Sequence, residues 1–367
     1  MRMFLLVNAL LLLASGSSCL DNRTVLPGQM GQIQDAAVIS CNPYQENGVQ
    51  HVCIVFSNPY QGSLKVFDAS DNQFVLAPIA YFPLNILVGQ APSALAVYEN
   101  QLFVLDPVKK AIFSVSENFS SPAPQTSLPV DTSAEHFVIG IGADQKPYTY
   151  LTQGRTISLL PGAITVEMPQ DITHLQWGPH QKSLLVVSGD SLYALDLDLH
   201  RIQTLPLGSS VRSLSNDGKK LAALALSNQT VVLVALDPLS ILATTPTLEA
   251  NAGAVYLPSS VPGTPNTCCH GSSSWLGILL VDGKLQYWPY TENGFSKNKD
   301  EVKIAEATSL SPFVLANPIK LLGVSIANPG NHDLGCSRRL FLVYTGAIFH
   351  TCEGNTNIQF LDQIDLS

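Results

Sequence analysis

The chain has 367 residues, a formal net charge of −9, and only 13% Asp, Glu, Lys and Arg, about half the usual share for a soluble domain. A hydrophobic fraction of 46% is ordinary, so the composition excludes a disordered chain and a polytopic membrane protein. The acidic balance, with no Lys/Arg cluster to offset it, argues against a nucleic-acid partner.

Met1-Arg2-Met3 gives a short positive start, Phe4 to Ala14 is an apolar run interrupted by Asn8, and small residues follow to Ser18. That order is the pattern of a secretory signal. As a helix, the apolar run extends roughly 16 Å, about half a bilayer core, so it is not a spanning anchor. The segment Gly16-Ser17-Ser18-Cys19 resembles a bacterial lipobox, with Gly16 where that box normally carries Leu. The resemblance implies cleavage before Cys19 and a diacylglycerol on its sulfur. Ordinary signal cleavage between Ser15 and Ser18 is the alternative. The expected division is a signal peptide over 1–18, a tether over 19–34 and one folded domain over 35–367. A second alternative is a eukaryotic secreted protein, since Asn22, Asn118 and Asn228 each begin an acceptor triplet for N-glycans, although the pattern is frequent by chance in Ser/Thr-rich chains.

From residue 35 onward one event repeats. A short apolar strand meets a tight polar turn and a second apolar strand follows. The predicted pairs are Val52–Phe56 with Leu64–Phe67, Leu102–Leu105 with Ala111–Val115, and Tyr148–Leu151 with Thr156–Leu160. They continue as Leu184–Val187 with Leu192–Leu195, Leu221–Leu226 with Val231–Val234, Leu276–Val281 with Leu285–Trp288, and Leu340–Tyr344 with Ala347–Phe349. Gln153-Gly154, Asp282-Gly283 and Thr345-Gly346 supply the positive φ that tight hairpins require. A further strand precedes each hairpin, as in Ala36–Ser40, Ala94–Tyr98, Ile172–Trp177 and Val211–Leu214. Another often follows, as in Phe74–Ala77 and Arg201–Leu205.

The turn centres recur about every 47 residues, within the range of a four-stranded propeller blade. The paired strands are apolar on both faces, which suits sheets stacked against neighbours. The expected fold is therefore all-β, a single β-propeller of about seven four-stranded blades. A pair of β-sandwiches accounts for short strands but not for a steady period.

Two stretches resemble propeller repeat families. Gly89-Gln-Ala-Pro-Ser-Ala-Leu-Ala-Val97, followed by Gln101-Leu-Phe-Val-Leu-Asp106, resembles YVTN-type repeats and their lactonase-like relatives. Ser215-Asn-Asp-Gly-Lys-Lys-Leu-Ala222 resembles the PD40-type repeat, with Asn216 replacing its usual Pro. Each resemblance covers one blade and implies an inner strand and the turn after it, with no catalytic residue.

Cys41, Cys53, Cys268, Cys269, Cys336 and Cys352 make an even set beyond Cys19, which in an exported chain favours disulfides. On the strand map all six fall on one face of the disc, in blades six, seven and one. Local bridges are expected for Cys41–Cys53 and Cys336–Cys352. For Cys268 and Cys269 a vicinal bridge and links elsewhere both remain open. His51, His270, His332, Asp333 and His350 lie near these cysteines in sequence, but no Cys-x2-Cys or His-x3-His spacing is present, so no metal site is expected.

No Gly-x-Ser-x-Gly, His-Glu-x-x-His or phosphate-binding Gly loop occurs, and no cofactor is expected. His174 and Trp177 read as packing residues of an inner strand. Trp275, Trp288 and Tyr290 read as seals of a blade, and Asp68, Asp106, Asp196 and Asp237 as turn formers. The long connections 258–274 and 328–337 are the expected contact surface. The reading that follows is a monomeric, lipid-anchored scaffold of the bacterial cell envelope, periplasmic or outer-surface, that binds an envelope protein. The alternative is a propeller enzyme, such as a lactonase-like hydrolase, with its site in the central channel.

Overall fold

The structure is a computed structural model. It describes residues 33–41, 51–59, 62–70, 73–74, 85–87, 91–98, 100–115, 119, 127–129, 134–141, 147–162, 164–258, 274–291, 293–295, 302–305, 318–325, 338–344, 348–352 and 358–362. Over these residues the chain is a seven-bladed β-propeller, each blade an antiparallel meander whose strands follow in sequence from the axis outward. The innermost strands are Ala36–Cys41, Ala94–Tyr98, His136–Ile141, Ile172–Trp177, Val211–Asn216, Ala252–Tyr256 and Pro318–Ser325. Blades one and six carry an additional short strand, Asn85–Leu87 and Lys303–Ala305, beside their third strands.

The hairpins form where polar turns separate apolar runs. Leu184–Ser188 pairs with Ser191–Leu195 through Gly189 at φ 62°, a left-handed conformation that glycine adopts without a Cβ penalty. Asp side chains fix other turns. Asp217 Oδ1 accepts the backbone N–H groups of Lys219, Lys220 and Leu221 at 2.8, 2.8 and 3.0 Å. Asp106 Oδ1 does the same for Val108 and Lys109.

No blade has a core of its own. The buried apolar residues form seven clusters, each shared by two neighbouring blades. Leu221–Leu226, for example, is buried along its whole length. Its alternate residues Ala222 and Leu224 face blade four, while Ala223 and Ala225 face blade six. The period of two in a strand divides one apolar run between two interfaces, which is why these strands read as continuously hydrophobic. Each fully buried Leu or Val contributes about 1.5–3 kcal/mol.

The ring closes in the same way. Ile54, Phe56 and Phe67 of blade one pack against Val324, Phe341 and Val343 of blade seven. Among the described residues no strand of one end enters the blade of the other.

Gly277 of blade six and Gly323 of blade seven sit where the two blades meet. A Cβ on Gly323 would meet the ring and hydroxyl of Tyr256, and one on Gly277 would lie 3.0 Å from Leu321 Cδ2. Gly323→Ala should therefore destabilise the protein by about 1–2 kcal/mol through overpacking. A lowered urea midpoint that Tyr256→Phe partly restores would show it, and an unchanged midpoint would refute it.

Candidate functional site

An inner strand is the edge of its sheet, so its free N–H and C=O groups turn toward the axis. Side chains of adjacent blades satisfy several of them. Asn100 Oδ1 accepts Ser40 N–H at 2.8 Å, Trp177 Nε1 donates to Ile139 O at 3.2 Å, and Gln176 Nε2 donates to Leu214 O at 2.9 Å. Ser213 and Ser215 hydroxyls accept the N–H groups of Val255 and Leu257. Asn216 Nδ2 completes the set by donating to Gln176 Oε1 at 2.7 Å.

Inside this frame lies an axial cavity of about 860 Å³, lined by inner-strand residues. Its mouth, at the start of the inner strands, carries Asp35, Glu135, His136, His174, Arg212 and Lys320. Four of these strands contain a register shift at their second residue, between Ile172 and His174, Val211 and Ser213, Ala252 and Ala254, and Pro318 and Lys320. A bulge re-aims the neighbouring side chains. Here the shifts accompany the placement of Thr173, His174, Arg212 and Lys320 around the opening.

Asp35 joins three blades. Its Oδ1 accepts Ala36 N–H at 2.8 Å and Lys320 Nζ at 2.6 Å, and its Oδ2 accepts Leu95 N–H at 2.9 Å. Lys320 Nζ also donates to Ala36 O at 2.7 Å. The carboxylate therefore links blade seven to blade one and blade one to blade two.

His136 and His174, from blades three and four, stand with ring centroids 6.4 Å apart and planes inclined by 5°. Burial pushes the His174 imidazole down to about 4, the nearby His136 adds to the fall, and a hydrogen bond with the Arg212 backbone opposes it. Burial also lowers His136, against the fields of Glu135 and Asp35, which favour its cation. Both rings are neutral at pH 7. Glu135 and Arg212 are exposed within the mouth.

Trp177 packs at edge-on angles against Tyr148 and Tyr150 and seals blade three to blade four. His174, read from sequence as a packing residue, instead lines the cavity. Trp288 and Tyr290 are buried between blades five and six. Trp275 sits under the Lys303 ammonium at 5.2 Å.

Cys41 and Cys53 are joined by a disulfide across the first two strands of blade one, with Cα atoms 5.9 Å apart. Beside it, the buried His51 Nδ1 lies 2.8 Å from Asp68 Oδ2. Cys352 is also disulfide-bonded. Cys19, Cys268, Cys269 and Cys336 lie outside the described residues, as does most of 258–274 and all of 328–337. Among the described residues no three or more His, Cys, Asp or Glu side chains gather as metal ligands.

Asp35, Glu135, His136, Arg212 and Lys320 went unnoticed in the sequence. Asp35 and Lys320 are separated by 285 positions, and no local pattern announces such a pair. The one available signal was position, because each stands at or just before the start of a predicted inner strand.

No protein-family model matches the chain, and no curated protein matches its sequence. Solved structures do match in shape. BBS1N, crystallised in complex with ARL6DN, superposes with a TM-score of 0.57 at 12% identity, covering 93% of this chain and 96% of that one. The WD40 β-propeller domain of Doa1 gives a TM-score of 0.51 at 10% identity, covering 86% of this chain and 93% of that one. At these identities the likeness establishes the fold, a WD40-like seven-bladed β-propeller, as the class to which the chain's architecture belongs.

Proposed function

We propose that the protein is a non-enzymatic scaffold of the bacterial cell envelope, exported by its amino-terminal signal and held to a membrane through lipid on Cys19. The observation that carries the scaffold reading is the use of the axial polar side chains. Asp35, Gln176, Ser213, Ser215 and Asn216 hold the backbone or side chains of adjoining blades. They tie the blades into one ring, and loops on such a frame are where binding residues commonly sit. The resemblance in shape to BBS1N, a propeller crystallised with another protein, supports the same reading.

The test uses the full-length protein purified from envelope membranes. A stoichiometric partner should co-purify. It should be lost by at least about tenfold when the non-cysteine residues of 259–273 and 328–337 are changed to Gly and Ser, with the thermal melt unchanged. Absence of any stoichiometric partner would overturn the scaffold reading. Labelled fatty acid should be found on the wild type and vanish in Cys19→Ala, and an unlabelled wild type would remove the anchor.

The open cavity with Glu135 and two imidazoles at its mouth favours a second reading, a lactonase-like hydrolase. Turnover of lactones or esters that disappears in His136→Ala would support it. No turnover across such a panel would discard it.

A further inference from the structure

We propose that the mouth of the axial cavity is an acid-dependent binding site for small divalent oxyanions, with the Arg212 guanidinium and the imidazoles of His136 and His174 as its donors. The geometry carries the assignment. The three groups come from three consecutive blades and line one cavity. The imidazoles stand parallel, 6.4 Å apart. Arg212 projects from the bulge of its strand, is exposed in the mouth, and has no ion-pair partner among the described residues. Thr173, from the bulge beside it, places a hydroxyl 3.1 Å from His174 Nδ1.

The charges around the opening set the pH dependence. On blades one and seven, Asp35 and Lys320 neutralise each other at 2.6 Å. On blade three, the free Glu135 carboxylate balances Arg212 of blade five. Ser93 of blade two is uncharged, blade six contributes no charged group to the lining, and a third imidazole, His180 of blade four, lines the cavity beyond the far end of its inner strand. At neutral pH the described charged groups of the mouth therefore balance, and they give an anion no net attraction. Each imidazole that takes a proton adds one positive charge inside a confined space, where charge is screened less than at an open surface. Burial resists those protons, and a bound dianion removes the resistance. Proton uptake and anion binding are thus coupled, each promoting the other. One proton taken up per anion strengthens binding up to about tenfold for each unit the pH falls.

Sulfate is the probe, because its charge stays at −2 across the working range and any pH dependence belongs to the protein. Calorimetric titration of the intact protein should give sulfate binding at least about tenfold tighter at pH 5 than at pH 7. The histidine Cε1–H resonances should show the apparent imidazole pKa values rising when sulfate is present. Arg212→Gln should weaken binding at pH 5 by about tenfold or more. Glu135→Gln should strengthen it at pH 7, an effect in the opposite direction that loss of fold cannot imitate. His174→Gln should flatten the pH dependence. Sulfate affinity that is equal at pH 5 and pH 7, or unchanged in Arg212→Gln, would overturn the proposal.

Discussion

Asp35→Ala is expected to lower folding stability by about 3 kcal/mol, the largest effect of any single side chain at the axis. Its carboxylate accepts the N–H groups of Ala36 and Leu95 and pairs with Lys320. Removing it leaves two backbone donors without their acceptor, at about 1–3 kcal/mol each when water cannot replace it. Water partly can, because the side chain retains 20% of its exposure, which moves each loss toward the lower figure. The ion pair itself adds at most about 1 kcal/mol, since Lys320 is 38% exposed and solvent screens it. Lys320→Met should therefore cost far less than Asp35→Ala. Asp35→Asn, which keeps one acceptor oxygen, should fall between them. Urea midpoints of the three variants check the order. An Asp35→Ala midpoint indistinguishable from wild type would mean the carboxylate does not hold the blades together.

Acid should weaken the fold by a similar amount. In the absence of multivalent anions, stability is expected to fall by up to roughly 3 kcal/mol between pH 7.5 and pH 4 because of His174. The His174 imidazole binds its proton near 6.5 in the unfolded chain and at about 4 in the folded one. Between those values the unfolded state holds more protons, so acidification favours unfolding. The contribution is fully present above pH 6.5, is lost as the pH falls toward 4, and changes no further below that. His136 acts in the same direction, since burial lowers it too. Denaturation midpoints at pH 7.5, 6, 5 and 4 measure the slope, and His174→Gln should remove most of it. Parallel curves for wild type and variant would assign the acid sensitivity to other groups. Sulfate should shift the wild-type loss to lower pH, because it stabilises the protonated folded form.

The parts of the fold legible in the sequence are those whose strands are buried on both sides. Leu184–Ser188 and Leu221–Leu226 are buried throughout, so their runs of Leu, Val and Ala read without interruption as central strands. The outer strands carry no such signal. Ile164–Glu167 and Leu239–Thr244 are largely exposed or half-buried, and both interleave apolar residues with polar ones. In blade one the described outer strand is Gln73–Phe74, and the rest of the expected Phe74–Ala77 lies outside the described residues. Blade six divides its outer pairing between Gly294–Phe295 and Lys303–Ala305.

The cavity mouth was illegible for a different reason. Thr173 and Arg212 owe their placement to one-residue shifts in pairing, and a strict alternation of inward and outward positions assigns them to the wrong side. His174, on its own strand, has the pattern of a packing residue. Its neighbour is His136, a whole blade earlier in the chain. Contacts between successive blades depend on how the sheets stack, which the period of the repeat sets only in outline.

The joint between blades seven and one is built from the same materials as the other six, side-chain packing reinforced by a few polar links and no shared strand. Where the polypeptide begins is therefore incidental to the ring. A circular permutant opened at Leu207–Ser210, between blades four and five, with the old ends linked, would retain every blade as an uninterrupted segment. It would also move the attachment point of any amino-terminal segment to the opposite side of the disc, so the order of the blades along the chain decides which edge of the ring carries that segment.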